Sequence, residues 1–387
     1  MAPRLFCMRP GPIVPGRLGG VLLGLALLFG AQESSLGAQG GPAYPRFKVD
    51  PAWPKQLPNN YIFGNIGGIT VDAHDHIWVL SRPRTLEKTD LLGRPPTNSC
   101  CVPAPAVTEF DASGNYLQGW GGPDSADRYQ WPESEHGITV DYKGNVWICG
   151  NGRSDDQCLK FAHDGKFLMQ IGRAGASKGS LDTANLGQAA QVAVWPATNE
   201  VFIADGYENR RIIVFDADSG KFKRLWGAYG QRPDDHAPRG TPSYDPASRQ
   251  FNLVHGIAIS KDGRVYVSDR QNNRIQVFTL AGKFIKEGFV GRDTINPEYG
   301  TTFSSAFSGD SAQRFLYDAD DPNNVIRVLD RESLEEIPQA AIGHEGPYAG
   351  QFIGLHIIAT DSAGNIYSAE SDVIGRVQKF SYQGLSQ

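Results

Sequence analysis

The sequence has no long run of basic residues, and 37 Lys and Arg against 42 Asp and Glu give a formal net charge of −5. Proteins that bind nucleic acid usually carry a basic patch, so this composition argues against a nucleic-acid partner. Only 20% of the residues are charged and 40% are hydrophobic, which argues against a largely disordered chain. The 45 Gly and 25 Pro are too many for a helical protein and indicate a turn-rich, all-β fold.

No apolar segment is long enough to favour a membrane span over a signal peptide. Three arginines precede the apolar run from Leu18 to Phe29, and small residues follow it at Gly30-Ala31 and Gly37-Ala38, either of which could precede a cleavage site. This layout predicts that residues 1–38 are a secretory signal peptide. We therefore expect residues 39–387 to form the mature protein, exported to the periplasm or secreted, with no stable membrane span after cleavage.

Cysteine is scarce, and no C-x-x-C spacing is present to suggest a cysteine metal site. Without Cys7, four cysteines remain, and an even number in an exported chain predicts disulfides. Cys149 and Cys158 flank two neighbouring predicted strands, which favours a bridge between them. The sequence leaves the partners of the vicinal pair Cys100 and Cys101 open.

A hairpin pattern recurs along the chain. Each copy has a β-branched strand, a tight turn and a second strand of alternating apolar residues. The copies read GITVDAHDHIWVLSR from Gly68, EHGITVDYKGNVWICGN from Glu135, QVAVWPATNEVFIADGY from Gln191, VHGIAISKDGRVYVSDRQ from Val254 and LHIIATDSAGNIYSAES from Leu355. A second hairpin follows most of them, so that a four-stranded unit repeats. Such a unit, with a period of about 50 to 60 residues, is typical of a propeller blade.

The pattern predicts a six-bladed β-propeller. The blades are expected at roughly 68–122, 135–175, 191–230, 255–291, 307–346 and 356–382. The sixth has only three evident strands, so we expect residues 46–53 near the N-terminus to supply its outer strand. Pairing the two chain ends closes the ring and removes exposed sheet edges.

Three of the eight histidines occupy equivalent positions at the start of a blade: His136, His255 and His356. Their blades are the second, fourth and sixth, so the side chains should converge on the channel axis from directions about 120° apart. Three neutral imidazoles with an open fourth position suit a catalytic zinc ion, although copper, iron or nickel would accept the same ligands. Ordinary channel-lining polar groups are the alternative interpretation.

The other histidines are expected to have surface or structural roles. His74, His76 and His163 fall in turns and His236 in a long loop, while His344 is unassigned. The second strand of each blade ends on the propeller face where the three histidines begin the first strands, so these strand ends should surround the predicted metal site. The residues at or just after them include Arg82, Asn151, Tyr207, Arg270 and Glu370. An arginine there can bind a carboxylate, and a tyrosine beside a metal can act as a base. Ion pairs and hydrogen bonds that hold the blades together are the alternative role for each.

Several segments resemble the peptidyl-α-hydroxyglycine α-amidating lyases, which form the lyase domain of peptidylglycine α-amidating enzymes. The three histidine segments are HGITVDYKGNVWI from His136, FNLVHGIAISKDGRVYVSDRQNNRIQVF from Phe251 and LHIIATDSAGNIY from Leu355. ADGYENRRIIVF from Ala204 and IWVLSR from Ile77 resemble the family's catalytic Tyr and Arg segments. Generic NHL-repeat propellers share the strand pattern without this histidine set.

The resemblance implies a zinc ion held by His136, His255 and His356. It also implies Tyr207 as the base, Arg82 as the group that grips or polarises the substrate, and Arg270 at the rim. The family reaction cleaves the C–N bond of an α-hydroxyglycine, a carbinolamide, into an amide and glyoxylate. The expected partner is therefore a small-molecule or peptide-derived substrate.

This sequence departs from the family pattern at several positions. Ile357 follows the third histidine where the family usually has Asp, which argues against a structural calcium ion tied to that Asp. Glu135 precedes the first histidine in place of Pro, and Glu208 replaces a cysteine after the tyrosine. We expect no copper monooxygenase domain within this sequence.

Two other functions compete with a lyase. A non-catalytic NHL-repeat propeller would bind a protein or glycan partner and would need neither a metal position nor a Tyr–Arg rim. A gluconolactonase-type hydrolase would favour acidic and Asn metal ligands on the axis, and Glu370 is the residue to examine for it.

Overall fold

The computed structural model describes residues 43–87, 101–240, 242–244, 246–294, 299–371 and 375–386. The predicted signal peptide at residues 1–38 and Cys100 lie outside these ranges. Within them, no helix has both the length and the apolar character needed to cross a membrane.

Strands are the main regular secondary structure of the described chain. β1 (Pro45–Asp50) and β2 (Tyr61–Ile62) precede the first sheet, which contains β3 (Asn65–Val71), β4 (Ile77–Arg82), β6 (Val107–Phe110) and β7 (Tyr116–Trp120). The short β5 (Val102–Pro103) pairs in parallel with β2. The second sheet contains β8 (Glu135–Val140), β9 (Val146–Gly150), β10 (Gln157–Phe161) and β11 (Phe167–Gly172). The third contains β12 (Ala189–Trp195), β13 (Glu200–Asp205), β14 (Arg211–Asp216) and β15 (Phe222–Trp226).

The fourth, fifth and sixth sheets follow in chain order. The fourth sheet contains β16 (Val254–Ile259), β17 (Arg264–Asp269), β18 (Arg274–Thr279) and β19 (Phe284–Phe289). The fifth has three strands, β20 (Ser305–Phe307), β21 (Phe315–Asp320) and β22 (Val325–Asp330). The sixth contains β23 (Leu355–Thr360), β24 (Ile366–Glu370) and β25 (Val377–Leu385) together with β1. Single 3-10 turns lie at Pro58–Asn60, Pro83–Glu87, Pro196–Thr198, Ala228–Gly230, Arg270–Asn272 and Pro338–Ala340.

The sheets form a closed ring, which confirms the predicted six-bladed β-propeller. The first strands of the sheets contact one another in the cyclic order β3, β8, β12, β16, β20, β23 and β3 again. The ring is closed by β1, which pairs antiparallel with β25 so that Val49 lies opposite Phe380. The N-terminal strand is therefore the outer strand of the sixth blade, as expected.

The hydrophobic core lies between neighbouring blades. One buried cluster combines Trp78 and Leu80 of the first blade with Ile148 and Leu159 of the second. Because burial of each large apolar side chain contributes about 1.5–3 kcal/mol, these layers hold adjacent blades together. A disulfide between Cys149 and Cys158 joins β9 to β10, as predicted, and Cys101 is also disulfide-bonded.

A buried carboxylate–arginine pair joins the end of the second strand to the third strand in four blades. The pairs are Asp205–Arg211, Asp269–Arg274, Asp320–Arg327 and Glu370–Arg376, with N···O distances of 2.8, 2.7, 2.5 and 2.7 Å. The carboxylates are fully buried, so each pair has to be satisfied inside the protein. These pairs fix the strand ends that surround the channel mouth.

Candidate metal centre

A β-bulge near the start of the first strand aims side chains at the channel axis. The strand register shifts between His136 and Ile138 in β8, between Val254 and Gly256 in β16, and between Leu355 and Ile357 in β23. A bulge adds one residue to its strand and redirects the side chains around it. The three axial histidines lie in these bulges.

The structure brings His136, His255 and His356 together, all three buried. The Nε2 atoms of His136 and His356 are 3.0 Å apart. The ring centroids are separated by 4.8 Å for His136 and His255, 4.7 Å for His136 and His356, and 5.1 Å for His255 and His356. The geometry predicted for the three side chains is present; metal binding by them stays a prediction.

Backbone carbonyls of neighbouring blades orient two of the rings. His136 Nδ1 donates to the Ala190 carbonyl oxygen at 2.8 Å, and His255 Nδ1 donates to the Phe303 carbonyl oxygen at 2.6 Å. A neutral imidazole that donates from Nδ1 presents its lone pair at Nε2, so both rings direct an unprotonated nitrogen toward the axis. His356 Nδ1 is buried and has no hydrogen-bond partner among the described residues.

The surroundings keep the three imidazoles neutral. Burial lowers the pKa of His136 to about 3, and the positive charge of Arg82 acts in the same direction. Burial also lowers the pKa of His255 and of His356 well below the usual range, with further lowering by neighbouring histidines. Neutral imidazole is the form that binds a metal.

Tyr207 lies against the histidine cluster at the start of the loop after β13. Its Oη is 3.0 Å from His136 Nε2 and 3.1 Å from His255 Nε2. The Arg270 guanidinium lies close enough to the same tyrosine for the two side chains to interact electrostatically. The predicted base and the predicted rim arginine are thus close to each other beside the axis.

Both predicted arginines approach the cluster from strand ends. Arg270 Nε donates to the Tyr299 carbonyl oxygen at 2.6 Å, and the guanidinium stacks 3.7 Å from the Phe303 ring centroid. Arg82 Nε donates to the Glu135 carbonyl oxygen at 2.8 Å. These contacts hold two cations beside the axial site, where an anionic substrate group would be attracted.

The Glu370 carboxylate is hydrogen-bonded to neighbouring residues of its own blade. Its Oε1 accepts from Arg376 Nε at 2.7 Å and from Gln378 at 3.0 Å, and its Oε2 accepts from the Ile353 amide at 2.7 Å. These partners give the fully buried Glu370 carboxylate a structural role. Ion pairs and hydrogen bonds of this kind were the alternative interpretation of the residue from the sequence. Asn151 is also tied locally, because its Oδ1 accepts from Ser134 Oγ at 2.7 Å.

The remaining histidines are placed as follows. His236 is exposed, and His344 is exposed with Nδ1 3.0 Å from the Glu345 carbonyl oxygen. His76 and His163 have a structural role, one of the two that were expected, because both bind the buried Glu109. The pairing could not be predicted from the turn positions of the two histidines, because Glu109 is far from both in sequence.

The axial donor set fits a zinc ion. Two unprotonated imidazole nitrogens repel each other at 3.0 Å unless a proton or a cation lies between them. Tetrahedral zinc with Zn–N bonds of 2.0–2.1 Å would separate two ligand nitrogens by about 3.3 Å, a few tenths of an ångström from the spacing of His136 and His356. Ile357 packs in the apolar cluster with Ile66 and Tyr367, so its side chain offers no oxygen ligand to a calcium ion.

Comparisons with known proteins agree with this fold. The NHL repeat family model matches residues 251–278. The chain is 36% identical over 155 residues to peptidyl-glycine alpha-amidating monooxygenase B of Xenopus laevis, covering 39% of this chain and 16% of the relative. It is 27% identical over 240 residues to peptidyl-alpha-hydroxyglycine alpha-amidating lyase 2 of Drosophila melanogaster, covering 61% and 50%.

Two further comparisons concern an NHL repeat protein and a solved structure. NHL repeat-containing protein 3 of Homo sapiens is 27% identical over 239 residues, covering 60% of this chain and 56% of that protein. A streptogramin B lyase structure superposes with a TM-score of 0.50 at 13% identity, covering 88% of this chain and 98% of the other, which supports the fold alone. The matched segments thus span between about a sixth and just over half of the length of the three sequence relatives.

Proposed function

Because the chain carries an NHL repeat and is homologous to peptidyl-α-hydroxyglycine α-amidating lyases, we propose that it is a metal-dependent lyase. The proposed reaction cleaves the C–N bond of an N-acyl-α-hydroxyglycine or a related carbinolamide to give an amide and glyoxylate. The observation that carries the proposal is the contact of Tyr207 Oη with the Nε2 atoms of His136 and His255.

The proposed chemistry assigns separate roles to the site residues. His136, His255 and His356 would hold a zinc ion, which when bound supplies a Lewis acid that lowers the pKa of a hydroxyl group. Arg82 and Arg270 would bind the terminal carboxylate of the substrate and so orient the carbinol carbon beside Tyr207.

Tyr207 would move the proton that the reaction requires. Its Oη takes the proton of the substrate hydroxyl, the C–N electron pair leaves with the amide nitrogen, and the hydroxyl carbon becomes the aldehyde of glyoxylate. Return of the same proton to the leaving nitrogen completes the amide, so the reaction needs no added water or redox partner. General acid–base catalysis of this kind contributes about 10²–10⁴-fold in rate.

Glyoxylate release from an N-acyl-α-hydroxyglycine, measured on zinc-loaded protein, tests the proposal. Tyr207→Phe should lower kcat by about 10²–10⁴-fold while zinc content is kept, whereas His255→Ala should lose both zinc and activity. Tyr142→Phe is the matched control, because Tyr142 is exposed and donates to Asn199 on another part of the propeller. A zinc-loaded wild-type protein without turnover would refute the lyase and favour a propeller that only binds a protein or glycan.

We also propose that the protein is exported, with residues 1–38 as the cleaved signal peptide. The Cys149–Cys158 disulfide supports an oxidising compartment. Sequencing the N-terminus of protein recovered from outside the cytoplasm would test the cleavage site.

A further inference from the structure

A second group of potential metal ligands lies between the first and second blades. It consists of His76, Glu109 and His163. His76 immediately precedes β4 and His163 lies in the turn between β10 and β11, so both are at the ends of the blades opposite the axial histidines. Glu109 projects from β6 and is almost completely buried.

One carboxylate oxygen is shared by the two imidazoles. Glu109 Oε1 is 2.7 Å from His76 Nδ1 and 3.2 Å from His163 Nε2. The other oxygen accepts from the Gln118 amide at 2.7 Å. Ligand atoms from two different blades therefore meet around a single buried oxygen, although His163 is 54 residues from Glu109 in sequence.

Solvent reaches this group through a cavity. The cavity has a volume of about 450 Å³ and is lined by residues that include His74, His76, Lys143 and His163. Lys143 is paired with Asp218 at 2.7 Å, so its ammonium group is already held away from the carboxylate. Water in the cavity can provide the fourth ligand that a tetrahedral ion requires.

Asp72 also lies near this group, but both of its oxygens already accept hydrogen bonds. Its Oδ1 accepts from the His74 and His76 backbone amides at 2.8 and 3.0 Å, and its Oδ2 accepts from Trp78 Nε1 at 3.0 Å. These bonds build the β3–β4 turn and place His76 beside Glu109. Asp72 is therefore a positioning residue, and the ligand set is two imidazoles and one carboxylate.

We propose that His76, Glu109 and His163 form a second binding site for a divalent transition-metal ion such as Zn²⁺. Two histidines, one carboxylate and water form a common zinc ligand set, with metal–ligand distances of about 2.0–2.2 Å. Such distances separate tetrahedral ligands by about 3.3 Å. Glu109 Oε1 already lies 2.7 Å from His76 Nδ1 and 3.2 Å from His163 Nε2, and the two imidazoles would close around the ion. Binding would require the His76 proton to move to Nε2, beside the cavity, and the His163 proton to move to Nδ1, so that the Gln118 amide nitrogen, 3.1 Å from His163 Nδ1, would have to withdraw from that atom.

The ion would join the first blade to the second at the end of the propeller opposite the axial site. It would replace two hydrogen bonds to Glu109 by metal bonds and add a cross-link between blades. This site is independent of the proposed lyase reaction, and it would raise the stability of the folded protein by binding the folded state alone.

Zinc counting on tag-free protein tests the site. Protein is equilibrated with zinc, freed of loosely bound metal on a chelating resin and measured by elemental analysis. We expect two ions per chain in the wild type, one in His255→Ala, one in His163→Asn and none in the double variant. His76→Asn should also lose one ion, and His236→Asn, which changes an exposed loop histidine, should lose none.

The outcomes separate this site from the axial one. One ion in both the wild type and His255→Ala, and none in His163→Asn, would overturn the axial zinc and support the second site. An unchanged count in both His163→Asn and His76→Asn would overturn the second site. Unfolding temperature gives a check that does not depend on stoichiometry. Zinc should raise the unfolding temperature of His255→Ala and leave that of the double variant unchanged. An equal zinc-induced rise in both proteins would overturn the second site.

Discussion

A methyl group at Gly137 should damage the axial site through the backbone of the neighbouring blade. Gly137 follows His136 and has a φ of +69°. A Cβ there would lie 2.1 Å from the Ala190 carbonyl oxygen, which accepts the hydrogen bond from His136 Nδ1. For Gly137→Ala, the left-handed backbone costs about 1–2 kcal/mol, and loss of the buried hydrogen bond costs about 1–3 kcal/mol. We expect a decrease of about 2–5 kcal/mol in the free energy of unfolding.

The same change should weaken zinc binding by about 10–100-fold, because it removes the group that orients a ligand. Gly144→Ala is the matched control: Gly144 has a φ of +77° in the next turn of the same blade, and a Cβ there would meet nothing within 4 Å. It should cost only about 1–2 kcal/mol and leave zinc affinity unchanged. Urea unfolding of zinc-free protein and competition with a chelator measure the two quantities. Equal effects of Gly137→Ala and Gly144→Ala on the free energy of unfolding and on zinc affinity would refute the reasoning.

Two further predictions concern stability. Burial raises the pKa of Asp318 well above its usual range, so the folded chain keeps a proton that the unfolded chain loses near pH 4. Stability should therefore fall as pH rises above about 4, by at most about 1.4 kcal/mol per pH unit until the folded group ionises. Asp318→Asn should be more stable than the wild type at pH 7 and nearly equal near pH 4 in urea unfolding; a difference that does not vary with pH would contradict this. Replacing both Cys149 and Cys158, which are nine residues apart, by Ala should cost about 2–3 kcal/mol, and an unchanged urea midpoint would contradict it.

The blade architecture could be predicted from sequence because its signals are local. A turn such as Asp141 to Gly144 is encoded by the aspartate whose Oδ1 accepts from the Lys143 amide and by a glycine with positive φ. The ring closure followed from counting strands, since the sixth blade lacked one. The three-stranded fifth sheet has weaker turn signals, and its first strand is only Ser305–Phe307.

The axial histidines could be predicted because a repeat fold converts equal positions in alternate blades into one point in space. The roles of Glu370 and Glu109 could not, because both depend on partners that only the packing of blades and turns reveals. Glu370 ends a second strand, as the rim residues do, yet Arg376 neutralises it. Glu109 reads as an ordinary strand residue, yet His163 of the next blade reaches it.

The three axial histidines are not equivalent, and the residue after each one explains the difference. Glycine follows His136 and His255, and a Cβ at Gly256 would lie 3.0 Å from the Phe303 carbonyl oxygen, much as one at Gly137 would meet Ala190. The neighbouring carbonyl oxygen can therefore approach closely enough to accept the hydrogen bond from Nδ1 because glycine has no side chain at this position. Ile357 follows His356, and His356 Nδ1 has no hydrogen-bond partner in the described part of the chain. Its ring is held by packing and by the contact with His136, so it is the ligand whose orientation a bound metal would have to fix.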